Sequence, residues 1–363
     1  MAFSSIPPEI CAAICSEVVD SRTLALLCRT SRDFRDEAQR LLYHSVDFRG
    51  RLMRAVKSWA RAIEKHPHLA ERVHTLALRL PDTLTFEVSD ATKIGRALAK
   101  CVNLKELRIV GDVSATGHIH NCIHGWMIND CPFRLTKFEN LYFQDRWIEG
   151  FWQKQTEIRV LSIAHSSACF TDQNLLPELI AVRTTSMSDL PEGRALQRVE
   201  TRFQRDLLPL VQYKGTLTTL NLRRDWMIDL DFSIGVALGA VAELLPDLMH
   251  LGIVERFKDY HLSLLDGLSK TTFQQFTSLK TFTLRVLNVD CFVFDNVSPF
   301  NMNAAADVHG LAYEIMMACP TLRRVAVGAE GPASVLRRVP GGEIHEESVQ
   351  LLDFDAFSMF WNS

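Results

Sequence analysis

From Val73 to Val327 the chain returns ten times to one apolar frame of the form L-x-x-L-x-L, and this recurrence constrains the fold more than any other feature. The copies are VHTLAL at Val73, LKELRI at Leu104, LTKFEN at Leu135, IRVLSI at Ile158, LIAVRT at Leu179, LQRVET at Leu196, LTTLNL at Leu217, LMHLGI at Leu248, LKTFTL at Leu279 and LRRVAV at Leu322. The steps 73 to 104, 104 to 135, 217 to 248 and 248 to 279 are each 31 residues, and 158 to 179 and 196 to 217 are each 21. Equal steps mean equal structural units. The copies at 135, 179 and 196 lose the last apolar position.

Several copies follow an apolar stripe at helical spacing: Ile94, Ala97, Leu98 and Cys101; Ile234, Ala237, Leu238, Val241 and Leu245; Val308, Leu311, Ala312, Ile315, Met316 and Cys319. The junctions read Cys101-Val102-Asn103-Leu104, Leu245-Pro246-Asp247-Leu248 and Cys319-Pro320-Thr321-Leu322, and the prolines stop the helix and favour extended chain. A strand and a returning helix, repeated side by side, predict an α/β fold with parallel strands along a concave wall and helices outside. The 43-residue step from 279 to 322 carries an inserted loop around Asn296 to Asn303. The apolar tail LLDFDAFSMFW, 351–361, is expected to seal the last repeat as a C-terminal cap.

The first fifty residues have a different period. Pro7 and Pro8 suit the first turn of a helix, with Ile10, Ile14 and Val18 on one face; Leu24, Leu27 and Cys28 mark a second helix, and Phe34, Ala38, Leu41 and Leu42 a third behind a capping Thr30-Ser31-Arg32-Asp33. Three short helices bury little surface by themselves. Adjacent apolar pairs such as Ile10-Cys11, Ile14-Cys15 and Leu41-Leu42 cannot share one face, so part of this surface needs a partner.

Ile6-Pro7-Pro8-Glu9-Ile10, the run from Thr23 to Arg35, and Leu41-Leu42-Tyr43 together resemble an F-box, the motif that docks on the Skp adaptor of Skp–cullin–F-box ubiquitin ligases. Ile6 stands where the family has leucine, and Phe34 and Tyr43 where tryptophan is common; each keeps an apolar or aromatic group. The frame that follows resembles the irregular leucine-rich repeats joined to many F-box domains, especially in fungal families. The resemblance implies an F-box domain over 1–48, a leucine-rich-repeat-like solenoid over 49–345 and a cap over 346–363. It implies a non-catalytic substrate-recognition subunit that binds the Skp adaptor, and through it a cullin-RING ligase, while the repeats hold a protein substrate. Adaptor contacts are then expected from Ile6, Pro7, Pro8, Ile10, Ile14, Leu24, Leu27, Phe34, Leu42 and Tyr43. The competing expectation is a stand-alone repeat scaffold whose N-terminal helices only cap the repeats.

Within the repeats, Arg79, Arg202, Arg223 and Arg285 each fall six residues after their anchor, where alternation turns them to the face opposite the apolar positions. Guanidinium forks on one wall suit an acidic or phosphorylated partner. Arg51, Arg54, Lys57, Arg61 and Lys65 form a basic stripe that is read as the solvated face of an amphipathic helix.

Forty Lys plus Arg against 43 Asp plus Glu give a net charge of −3, so no overall footprint for nucleic acid exists. Nine scattered cysteines without a CxxC pair, and Glu9 and Glu17 within the first twenty residues, point to a reducing compartment, cytoplasmic or nuclear, and no apolar run reaches membrane-spanning length. His118, His120, Cys122, His124 and Cys131 crowd one window, but Ile119, Cys122, Ile123, Trp126 and Met127 form an apolar stripe that turns Cys122 away from the histidines, so no metal site is expected. There is no GxSxG, P-loop, HExxH or strand-to-helix GxGxxG motif, and neither an enzyme nor a cofactor is expected.

Overall fold

The structure is a computed structural model that describes residues 6–81, 85–111, 123–163, 170, 172–225, 234–257, 270–288, 304–328, 333–349 and 352–361. The protein is α/β and divides into two compact units, Met1–Leu179 and Ile180–Ser363. The boundary falls inside the repeats, and the N-terminal helices belong to the first unit.

Helix α1 (Pro8–Ser16) starts on its proline pair, as a first turn permits. Asp20 caps α2 (Ser21–Leu27) by accepting from the Arg22 and Thr23 amides at 3.2 and 2.8 Å, and Ser31 caps α3 (Arg32–His44) by accepting from the Phe34 amide at 3.3 Å. Both α1 and α2 pack on α3, which runs without a loop into strand β1 (Ser45–Asp47). The expected F-box boundary at 48 therefore lies one residue past a strand of the sheet.

The rest of the first unit is α4 (Met53–Lys65), α5 (Pro67–Ala70), β2 (Thr75–Leu80), α6 (Val88–Lys100), β3 (Glu106–Gly111), α7 (Trp126–Asn129), β4 (Lys137–Leu141), α8 (Glu149–Trp152) and β5 (Val160–Ile163). Helix α4 buries Val56, Trp59, Ala60 and Ile63, and of its basic stripe Lys57 reaches Asp90 of α6 at 2.5 Å. Strands β1 to β5 pair in chain order, all parallel.

The second unit contains β6 (Ala181–Arg183), β7 (Arg198–Arg202), β8 (Thr219–Asp225), α9 (Ile234–Leu244), β9 (His250–Phe257), α10 (Lys270–Gln274), β10 (Thr281–Asn288), α11 (Ala304–Ala318), β11 (Arg324–Gly328), β12 (Ala333–Arg338), β13 (Ile344–Val349) and α12 (Phe354–Phe357). Strands β6 to β11 again pair in order and in parallel. Here the chain departs from the repeat: β12 and β13 are antiparallel, joined by a turn in which Gly341 and Gly342 take φ of 115° and 90°. Strand β13 reaches into the segment expected to be a cap.

Every strand from β2 to β11 begins two residues after its frame anchor. Those first residues stand side by side, Thr75, Glu106, Lys137 and Val160 in one unit and Ala181, Arg198, Thr219, His250, Thr281 and Arg324 in the other. Columns of the frame thus become apolar ladders such as Leu220, Leu251, Phe282 and Val325, all nearly solvent-free. Burying each such side chain is worth about 1.5–3 kcal/mol, which fixes the register because a one-residue slip would expose the whole ladder.

The copies that lack the last apolar residue fill that position with paired polar groups. Asn140 accepts from the Phe143 amide at 2.8 Å and donates to the Phe143 carbonyl at 2.9 Å, while Thr184 and Thr201 meet each other at 3.4 Å. Residues 352–361 pack on the last repeat and also reach beyond it: Leu352 lies on Ala326 and Val335, and Asp355 reaches Arg183 of β6 at 2.7 Å. Helix α11 covers the opposite face, where its His309 lies 3.3 Å from Ser334.

Candidate functional site

Two surfaces carry the residues singled out from sequence. On α1, Cys11 and Cys15 are buried, and Cys15 forms a small core with Leu24 and Ala38. Burial pushes both thiols up from their usual value, so they behave as packing groups. Ile6, Ile10 and Ile14 lie along a neighbouring strip at 44, 51 and 43% exposure, with Pro7 and Pro8 exposed beside them. One helix thus presents two apolar strips, one used internally and one open.

The ten expected adaptor contacts separate accordingly. Ile6, Pro7, Pro8, Ile10 and Ile14 are surface groups. Leu24 is buried, and Leu27, Phe34 and Leu42 pack partly buried against the same core, so these four hold the three helices together. Tyr43 is half-buried, and burial pushes its phenol up. Val19 and Leu26, which the sequence reading passed over, are 98 and 55% exposed. Leu26 had a signal: four apolar residues in a row, 24–27, cannot all face one core.

The expected arginines also separate. Arg79 lies exposed on β2 in the first unit. In the second unit Arg202, Arg223, Val254 and Arg285 are consecutive partners across β7, β8, β9 and β10, so three guanidiniums share one row. The row beside it, two residues nearer each strand's start, was missed: Arg183, Glu200, Asn221, Gly252, Thr283 and Ala326. Glu200 is fully buried, and its oxygens are held by Arg183 at 2.8 Å and Arg223 at 2.6 Å. The signal was a glutamate at a non-apolar frame position, with Arg183 at the same position in the preceding copy and Arg223 two residues further along the following one.

Of the histidine-rich window, His118, His120 and Cys122 lie outside the described residues; His124 is buried with Phe86 and Trp126 edge-on to its ring, and the Cys131 thiol lies 3.5 Å from the Met127 carbonyl. Among the described residues no group of three His, Cys, Asp or Glu side chains is placed to hold a metal ion. Ser334, His309 and Glu346 cluster, but the serine and the glutamate approach the same imidazole nitrogen, Nδ1, at 3.3 and 3.0 Å. A nucleophile relay needs them on opposite nitrogens. No helix of the described residues is long and apolar enough to cross a membrane.

Set against models of known protein families and against curated proteins, the chain matches none.

Proposed function

We propose that the chain is the substrate-recognition subunit of a Skp–cullin–F-box ubiquitin ligase, in which α1 docks on the Skp adaptor and the repeats, stacked as a leucine-rich-repeat-like solenoid, hold a protein substrate. The observation that carries this reading is the open strip of Ile6, Pro7, Pro8, Ile10 and Ile14 on a helix whose other apolar strip is already satisfied. Contiguous apolar surface of this kind marks an interaction site. The chain carries no bond-making chemistry in this reading; it raises the local concentration of substrate near a charged conjugating enzyme held elsewhere in the complex.

The test is a binding titration of the full chain against the Skp adaptor, with an Ile10→Asp, Ile14→Asp variant beside it. Saturable binding that the variant loses, with circular dichroism unchanged, supports the receptor reading. A folded wild-type chain that does not bind sinks it.

A second reading is favoured by one observation. Helix α3 continues directly into β1, and Arg72 ties it to the α5 end through the Asp36 carbonyl at 2.5 Å, as helices that merely cap a sheet would be tied. A non-binding chain would leave that stand-alone scaffold as the better account.

A further inference from the structure

We propose that the polar face of the second unit is a docking site for an acidic, aromatic peptide segment of a partner protein, and that residues 352–361 are its resident intramolecular competitor. The proposal rests on the receptor reading above for taking this face as the substrate site, and it adds the chemistry of what binds there.

The tail makes side-chain-specific contacts along its whole path. Leu352 lies against Ala326 and Val335, and Phe354 covers Gly252 so closely that a Cβ there would come within 2.9 Å of its ring. Thr283 donates to the Phe357 carbonyl at 3.4 Å, and the Phe357 ring lies 4.1 Å from the Arg324 guanidinium. With its amide oriented to suit its neighbours, Asn221 donates to the Ser358 carbonyl at 3.2 Å and accepts from the Ser358 hydroxyl at 3.3 Å. On β6, Arg183 receives the Asp355 carboxylate at 2.7 Å, with the Phe360 and Trp361 rings 5.3 and 5.0 Å from its guanidinium carbon.

What lies beneath is built for selection. A segment that only sealed the sheet would do so best over apolar residues, because buried charges are costly. Instead the tail covers Arg183, Glu200 and Asn221, all nearly solvent-free. A guanidinium that takes a carboxylate and also lies over aromatic rings reads a pattern of acid and aromatic. The tail fits this surface under strain: Met359 turns with φ of 59°, in the left-handed region that L residues enter at a cost. Alongside it the row of Arg202, Arg223 and Arg285 continues, with Arg223 half-exposed. A partner segment richer in acidic residues than DFDAFSMFW would engage that row as well, and so displace the tail.

The test uses a fluorescent peptide of residues 352–363 against three full-length chains: wild type, Asp355→Lys with Trp361→Ala, and the same double variant carrying Arg183→Ala. The double variant, its own tail weakened, should bind the peptide at least tenfold more tightly than wild type does, and Arg183→Ala should remove that gain. Equal or absent binding to all three folded chains would overturn the proposal. Should the double variant not fold, hydrogen exchange of the wild-type chain decides: excess peptide should speed exchange at 354–361, and unchanged protection would show a permanent seal. No adaptor enters the experiment, so this proposal and adaptor docking fail separately.

Discussion

Gln155 shows how a single side chain holds a turn that the frame does not describe. It is fully buried, its Oε1 accepts from the Leu135 amide at 2.9 Å and its Nε2 donates to the Phe133 carbonyl at 3.1 Å. Replacing it by leucine leaves both backbone groups dry and without a partner, a loss of about 2–4 kcal/mol in unfolding free energy. Lys105→Ala, which removes the exposed 3.1 Å pair with Glu157, should cost no more than about 0.5 kcal/mol. Urea midpoints of the two variants check this, and a Gln155→Leu chain as stable as wild type would mean that the turn repacks. None of this was legible in the sequence, because an amide between Lys154 and Thr156 looks like surface. The same holds for Thr184 and Thr201: as residues they break the frame, and only their adjacency in space explains why the frame can break in neighbouring copies.

Among the elements, the three N-terminal helices were readable in existence, and the first and third also in start, since Pro8 and the cap Ser31 act locally, whereas the Asp20 cap was not picked out. Which strip of α1 faces inward was not readable. Ile10 and Cys11 are equally apolar, and the choice between them is made by α3, which α1 meets only after folding. The consequence separates stability from binding. Leu24→Ala, in the small core with Cys15 and Ala38, should lower unfolding free energy by about 2–4 kcal/mol, whereas Ile10→Ala should change it by less than about 0.5 kcal/mol. Chemical denaturation followed by helical signal measures both, and a large loss at Ile10 would show its side chain to be structural. The tail posed the same difficulty. Its apolar residues were plain, but how far it reaches past the last repeat was not, because Arg183, which its Asp355 meets, lies 172 residues away in sequence.

At the scale of the molecule, long-range order was the most legible part, because the register is written into the spacing: each anchor places its strand two residues on, in both units. The division at Leu179–Ile180 was hidden, since the frame crosses it without a change of pattern. That division places the two proposed binding surfaces in different units. The open strip of α1 belongs to one unit, while the tail and the arginine row belong to the other. Substitutions that share no partner and no network of contacts act additively. Ile10→Asp with Ile14→Asp should therefore leave affinity for an acidic, aromatic peptide within about twofold of its parent chain. Asp355→Lys with Trp361→Ala should likewise leave adaptor affinity within about twofold. Titrating both ligands against both variants gives the coupling directly. A change of tenfold or more in either cross-measurement would be about 1.4 kcal/mol of coupling free energy, and would make the chain a switch in which partner and adaptor sense one another.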